Sequence, residues 1–278
     1  MNHAQGTFTR TRLSGILAGL LGAGALTGQA AGPYYVATNG PGGDFKSWEQ
    51  ASSNIQWAVD AAQDGETVWV SNGVYVLTNQ VVVTNAITLI SASGPDSTRL
   101  DGGFVEGSPA TNNRCLFISN AAALVSGLTI SNGAVILEDG GGVYMYDGVL
   151  SNCVVRNNTV FAPVAGSLRG GGLYAYYGTV TACRVINNLV TNFANTTSYS
   201  GSGGGIAIIS SAALMSDCIV SNNRIMGGYA STAVGAGIFS EASTIRSTLI
   251  CDNVNQRGWA GGIRMNSGLL DSCTVTVN

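Results

Sequence analysis

The chain has 278 residues, 39 of them glycine, with only 10% charged residues and a formal net charge of −3. Glycine is about twice and charge less than half of ordinary usage, while a hydrophobic fraction of 45% is ample for a packed core and excludes a disordered chain. No basic patch is visible, which excludes nucleic acid as a partner.

The first segment, residues 1–30, reads as an export signal. Arg10 and Arg12 precede an apolar run at 13–26, and the small residues Gly28 and Ala30 sit where a signal peptidase would cut. That run is too short for a comfortable bilayer span, so the expectation is cleavage after Ala30 and a secreted or cell-surface protein with no transmembrane segment in the mature part. Residues 31–73 form a predicted N-terminal cap with the first strands. Within it Trp48, Ala51, Ile55, Ala58, Val59 and Ala62 recur at helical spacing, predicting an amphipathic helix over 47–62 that covers the first rung of a solenoid. Short β-rich runs flank it at 34–37 and 67–70.

From residue 74 to 278 short apolar runs alternate with Gly, Asn and Ser breaks, and five segments superpose. Gly140-Gly141-Gly142-Val143-Tyr144 leads to Cys153-Val154-Val155-Arg156-Asn157-Asn158. Gly170-Gly171-Gly172-Leu173-Tyr174 leads to Cys183-Arg184-Val185-Ile186-Asn187-Asn188, and Gly203-Gly204-Gly205-Ile206 to Cys218-Ile219-Val220-Ser221-Asn222-Asn223. Looser copies start at Gly235 and Ala260. A unit of about thirty residues without hairpin signals predicts an all-β fold, a right-handed parallel β-helix in which each rung pairs with the next. The last residues, 274–278, fall inside a repeat with no capping element, so the repeat region is expected to continue beyond them.

A period of two sets the expected side-chain directions. Val143, Leu173, Ile206, Ile238 and Ile263 point inward, so Tyr144, Tyr174, Ala207, Phe239 and Arg264 point out. On the next element Cys153, Val155 and Asn157 are expected inside, with Val154 and Arg156 outside. An inward amide ladder of Asn132, Asn157, Asn187, Asn222 and Asn253 would bond rung to rung. Cys153, Cys183, Cys218 and Cys273 share one repeat position with Leu128 and Leu249, which marks an apolar interior slot of free thiols. Connections of unequal length, 159–169, 189–202, 224–234 and 255–259, leave from one corner and carry Phe161, Phe193, Tyr199, Tyr229 and Trp259.

The Gly-Gly-Gly-apolar and Asn-Asn elements resemble the repeats of polymorphic outer-membrane proteins and related autotransporter passengers. The segments 55–62, 64–70, Gly73-Val74-Tyr75 and Gly127-Leu128-Thr129-Ile130-Ser131-Asn132 resemble the start of the pectate-lyase-like superfamily of right-handed parallel β-helices. This resemblance implies fold more than function, since the matching residues build the coil. Polysaccharide lyases and hydrolases on such a fold need paired carboxyls, or a base with calcium or arginine. The chain has no Asp-Asp pair or Gly-His-Gly segment, and its one histidine, His3, lies in the leader. Glu138, Asp139 and Asp147 are the best acidic group; they could hold calcium, but nothing else supports calcium, and no cofactor is expected. Arg156 and Arg184 could serve a lyase.

The outward aromatics are the stronger lead. Tyr144, Tyr146, Tyr174 and Tyr176, with Phe239 and Trp259, are the expected ligand-binding residues, since exposed ring faces take sugars or partner proteins. The reading is a non-catalytic surface protein that binds glycans or a cell-surface protein. The alternative is a polysaccharide lyase or glycoside hydrolase whose active residues lie in the loops or beyond residue 278.

Overall fold

The computed structural model describes residues 32–108, 112–161, 166–192, 199–227, 233–256 and 258–278; the expected leader lies outside them, as do Phe193 and Tyr229. The described chain coils as a right-handed parallel β-helix whose named strands pair in parallel throughout. In a typical rung Val143–Met145 lies in sheet I, of seven strands, Val149–Ser151 in sheet II, of nine, and Val154–Arg156 in sheet III, of eight. Thr159–Phe161 then enters sheet IV, of five strands, which leads into the variable connections. Those connections carry a small core of their own, with Val135, Val160, Leu168, Val190 and Ile225 packed together.

The corners explain the inward pattern. Between sheets II and III one residue adopts a left-handed conformation, as Asn152, Ala182 and Asp217 do (φ 49, 52 and 56°), and between sheets III and IV so do Asn132, Asn157, Asn187 and Asn222 (φ 55 to 57°). Asparagine tolerates this region better than most residues. Each such residue interrupts the alternation, so inward sites fall at Leu150, Cys153, Val155 and then Asn158.

This corrects the expected ladder. Asn132, Asn157, Asn187 and Asn222 turn the corner facing outward, and the buried ladder is Asn158, Asn188, Asn223 and Asn253, continued by Asn278. Of the expected set only Asn253 is inside, because Asp252 takes the corner in its rung (φ 57°). The backbone N–H groups of Asn158, Asn188 and Asn223 donate to the amide oxygens of Asn188, Asn223 and Asn253 at 3.0, 2.9 and 3.0 Å. The amide nitrogens donate back to Ile130, Val155 and Val185 carbonyls at 3.1, 2.9 and 2.8 Å.

The third glycine of each triplet makes the room. A Cβ on Gly142, Gly172 or Gly205 would lie 2.5, 2.6 or 2.7 Å from Cγ of Asn158, Asn188 or Asn223. The first described rung with this corner reverses the arrangement. Cys115 stands at the glycine position and Gly133 at the asparagine position, where a Cβ would come within 3.0 Å of the Cys115 sulfur. The Gly133 N–H still reaches Asn158 Oδ1 at 2.8 Å.

The cysteines are free, and Cys115, Cys153, Cys183 and Cys218 are buried. Register corrects one expected equivalent: Leu249 pairs with Ile219 and Thr274, so the slot between Cys218 and Cys273 is Thr248. Its hydroxyl donates to Arg246 O at 2.8 Å, copying the Cys183 and Cys218 thiols, which reach Thr181 O and Ser216 O at 3.2 and 3.0 Å. A slot with a donor two residues from a carbonyl suits Cys and Thr alike. Burial pushes the Cys115 thiol up to about 12. Cys183 and Cys218 are raised as well, first by the hydrogen bonds among the thiols themselves.

The N-terminal helix is shorter than expected, Ile55–Ala61 after a turn of 3-10 helix at Trp48–Gln50. Between them Ser52 pairs with Val36 in an extended bridge, and Asn54 caps the helix by accepting from Gln56 N–H. Ile55, Ala58 and Val59 close one end of the core. The Gln56 side chain accepts from Val82 N–H at 2.7 Å and donates to Val82 O at 3.1 Å, at the edge strand Val81–Val83 of sheet I.

Replacing Asn188 by Ala removes hydrogen bonds to two rungs and leaves buried groups unpaired, so chemical denaturation should show a loss of about 3 kcal/mol or more. Asn187→Gly, at the outward left-handed position, should change stability by less than about 1 kcal/mol; equal losses would reverse the assignment of the two asparagines. A thiol reagent at pH 8 should reach at most Cys251 and Cys273 in the native protein and all six cysteines after unfolding.

Candidate functional site

The outer face of sheet I carries a row of side chains one rung apart, namely Phe117, Tyr144, Tyr174, Ala207, Phe239 and Arg264. Strand spacing of about 4.8 Å is close to ring-stacking distance, so register alone brings the rings together. Phe117 and Tyr144 stack at 5.7 Å and Tyr144 and Tyr174 at 4.9 Å between centroids. A second row lies where sheet I ends. Tyr146 and Tyr176 stack at 5.6 Å, and Tyr177 stands edge-on to both, at 5.4 and 4.7 Å.

Exposure divides the expected binding residues. Tyr174 and Phe239 are each only 6% exposed, packed with Ala207, Ile209 and Val234, and Tyr144 is half-buried between two rings. The expectations that Tyr174 lies on an exposed platform and that Phe239 is an outward ligand-binding ring are therefore corrected: both are covered, Val234 of the variable corner packing against them. Tyr146, at 46%, and Trp259, at 69%, are open, and Tyr176 is half-buried. Trp259 sits past the covered row, bridged through its backbone to Val234. Of the other loop aromatics, Phe161 is buried edge-on against Phe104.

Charged groups border the covered row. Arg114, only 9% exposed, donates to Gly140 O, Asp139 O, Gln80 Oε1 and Glu138 Oε2, with its guanidinium 5.4 Å from the Tyr144 ring centre. Asp139 Oδ1 accepts from Arg169 N–H at 2.7 Å, and the Arg169 guanidinium lies 5.7 Å from the Phe239 ring centre. Burial holds the Asp139 carboxyl above its usual range. Burial also pushes the Tyr174 hydroxyl up to about 12, with Asp139 and Tyr144 adding to the shift. Asp147 turns away onto Gly148 N–H, and among the described residues no three His, Cys, Asp or Glu side chains gather as a metal site.

Phe117, Tyr177 and Arg114 are residues of this face that escaped the sequence reading. Tyr177 follows Tyr176 directly, but its counterpart one rung earlier is Asp147, so superposing repeats hid it. Arg114 stands in the rung where Cys115 replaces glycine, outside the triplet pattern. The outward corner residues Asn132, Asn157, Asn187, Asn222 and Asp252 line a separate groove of about 670 Å³, with Phe104, Thr159, Leu189 and Arg224 along its sides.

With this geometry in hand, solved structures supply a match. The crystal structure of pectate lyase Pel9A superposes with a TM-score of 0.52 at 15% identity, covering 88% of this chain and 77% of that one. The fold is the parallel β-helix of that lyase. Carrot pectin methylesterase (15% identity, TM-score 0.38, 90% of each chain) and Escherichia coli ybhC (16%, 0.44, 91% and 75%) are more distant. No protein-family model and no curated protein sequence matches the chain.

Asp139 holds its proton more tightly in the fold than unfolded. Its contribution to stability is thus present below the ordinary carboxyl pKa of 3.8 and lost as pH rises through the raised value. Asp139→Asn should therefore gain stability relative to the parent between pH 3 and pH 7, read from denaturation midpoints; parallel pH curves would mean that the carboxyl is not held up.

Proposed function

We propose that this is an exported, non-catalytic glycan-binding protein that takes sugar at the cluster of Tyr146, Tyr176 and Tyr177. The observation that carries the reading is that Tyr146 of this second row is open, with Tyr176 and Tyr177 half-buried beside it, while Tyr174 and Phe239 of the first row are covered. Two parallel rings with a third across them offer ring edges, part of the Tyr146 face and three hydroxyls. A sugar ring can rest its C–H groups on the aromatic surface and pair its hydroxyls with the phenols. Secretion or display at the cell surface accords with the leader-like residues 1–30, and no described helix is long and apolar enough to cross a membrane. Pectate lyase, a solved structure of this fold, acts by its name on a polysaccharide, which makes a glycan the first ligand to test.

The second reading is a polysaccharide lyase or hydrolase, favoured by one observation. Asp139 is a carboxyl of raised pKa beside Tyr174, and Glu138 is held next to it by Arg114. A carboxyl whose pKa is raised by burial suits a general acid.

Glycan-array binding followed by titration separates the readings. Tyr146→Ala with Tyr176→Ala should weaken the best ligand at least tenfold without shifting the unfolding midpoint by more than a few degrees. Unchanged binding would remove the tyrosine cluster from the site, and release of reducing or unsaturated sugar ends by the purified protein would favour the enzyme.

A further inference from the structure

The outer face of sheet III holds a second, differently charged surface. One row of outward positions runs Arg99, Thr129, Val154, Arg184 and the next Asp101, Ser131, Arg156, Ile186. Residues some thirty apart in sequence are thereby neighbours on one face. Arg99, Arg156 and Arg184 line one groove of about 390 Å³, together with Asp96, Ser97 and Thr129.

In a chain with so few charges, most described arginines can be followed to a partner; Arg224, on the separate corner groove, has no ion pair among the described residues. Arg114 and Arg169 face Glu138 and Glu241, Arg246 faces Asp271, and Arg264 bonds Asn266. Arg99 meets Asp101 at 3.1 Å through Nη2, while Arg156 and Arg184 have no carboxylate within ion-pair distance among the described residues. Among the described residues, the buried polar atoms without a hydrogen-bond partner are Arg99 Nε, Ser131 Oγ and Arg156 Nε; all three belong to this face, and Arg99 and Arg156 also line the groove. Ser131 is 1% exposed and pairs directly with Arg156 in the strand register. Unpaired buried donors are rare in folded proteins, and two of these belong to guanidiniums that line one groove.

We propose that this groove binds a sulfate ester carried on an extended polymer. Three guanidiniums set against Asp96 and Asp101 leave one positive charge, which matches a singly charged group. Separate donors on three strands and in two rows suit an ester with three terminal oxygens, and the guanidinium fork favours oxyanions over simple halide. Arg99 and Arg184 stand three strand spacings apart, about 14 Å, which exceeds the reach of one small ion and fits a chain lying along the face.

The site is independent of the tyrosine cluster, so its test can fail without touching that reading. Titration of the purified full chain should show binding of dextran sulfate and none of unmodified dextran. Arg156→Gln and Arg184→Gln should each weaken dextran sulfate at least tenfold. Arg246→Gln, which removes a charge from another sheet, and Tyr146→Ala should leave it unchanged. Sodium sulfate should displace the polymer at lower ionic strength than sodium chloride does. Equal binding by Arg156→Gln, Arg184→Gln and the parent would overturn the site, as would equal loss in Arg246→Gln. Arginine-dependent protection of the fold by sodium sulfate with no uptake of dextran sulfate would overturn the polymer and leave a free-anion site.

Discussion

The structure depends on how a buried corner disposes of its backbone hydrogen bonds. Where sheet III turns toward sheet IV the strand ladder breaks, and N–H and carbonyl groups face the interior without strand partners. Asn158, Asn188, Asn223 and Asn253 supply what the backbone lacks, accepting from the neighbouring rung's N–H and donating to a carbonyl of the rung before. An amide can sit there only if the opposing backbone has no side chain, so the third glycine of each triplet and the second asparagine of each pair are one device. Cys115 with Gly133 shows the same space filled from the other side.

Everything on the outside inherits this repeat. A side chain on one rung lies one strand spacing from its equivalent on the next, so aromatic residues become stacks and arginines become rows. Stacking also uses up ring faces. Tyr144, held between Phe117 and Tyr174, stiffens the sheet and offers little to a ligand, whereas at the end of sheet I Tyr146 stacks on one side only and stays open. The two faces differ in kind: sheet I carries phenols and paired charges, while on sheet III Arg156 and Arg184 have no ion-pair partner among the described residues and Arg99 has Asp101.

The coil was legible in the sequence because glycine, apolar and asparagine marks recur in order, and those marks respond directly to backbone geometry. The position of the ladder was not legible to within one residue. Counting by two from Cys153 lands on Asn157, and only the left-handed turn at Asn157 carries the inward direction to Asn158. A similar slip placed Leu249 where Thr248 belongs, since apolar character was used where a donor mattered. Tyr174 and Phe239 read correctly as outward, but outward from the coil is not open to solvent, because residues of the variable corner such as Val234 fold back over them. Of the arginine face, Arg156 and Arg184 stood out in the sequence, but their grouping with Arg99 did not. Arg99, Arg156 and Arg184 belong to different repeats at unlike positions, and only register across rungs gathers them.

The bond pair between Gln56 and Val82 bears on how such a coil remains a separate molecule. A parallel solenoid repeats its own strand spacing, so the outermost strand of sheet I is a ready template for a further copy to dock end to end. A single amide already occupies both the N–H and the carbonyl of Val82, the groups through which an incoming strand would set its alignment. Chain-to-chain fibre growth at this end is thereby denied its first two hydrogen bonds by one side chain, held in place by a helix of only seven residues.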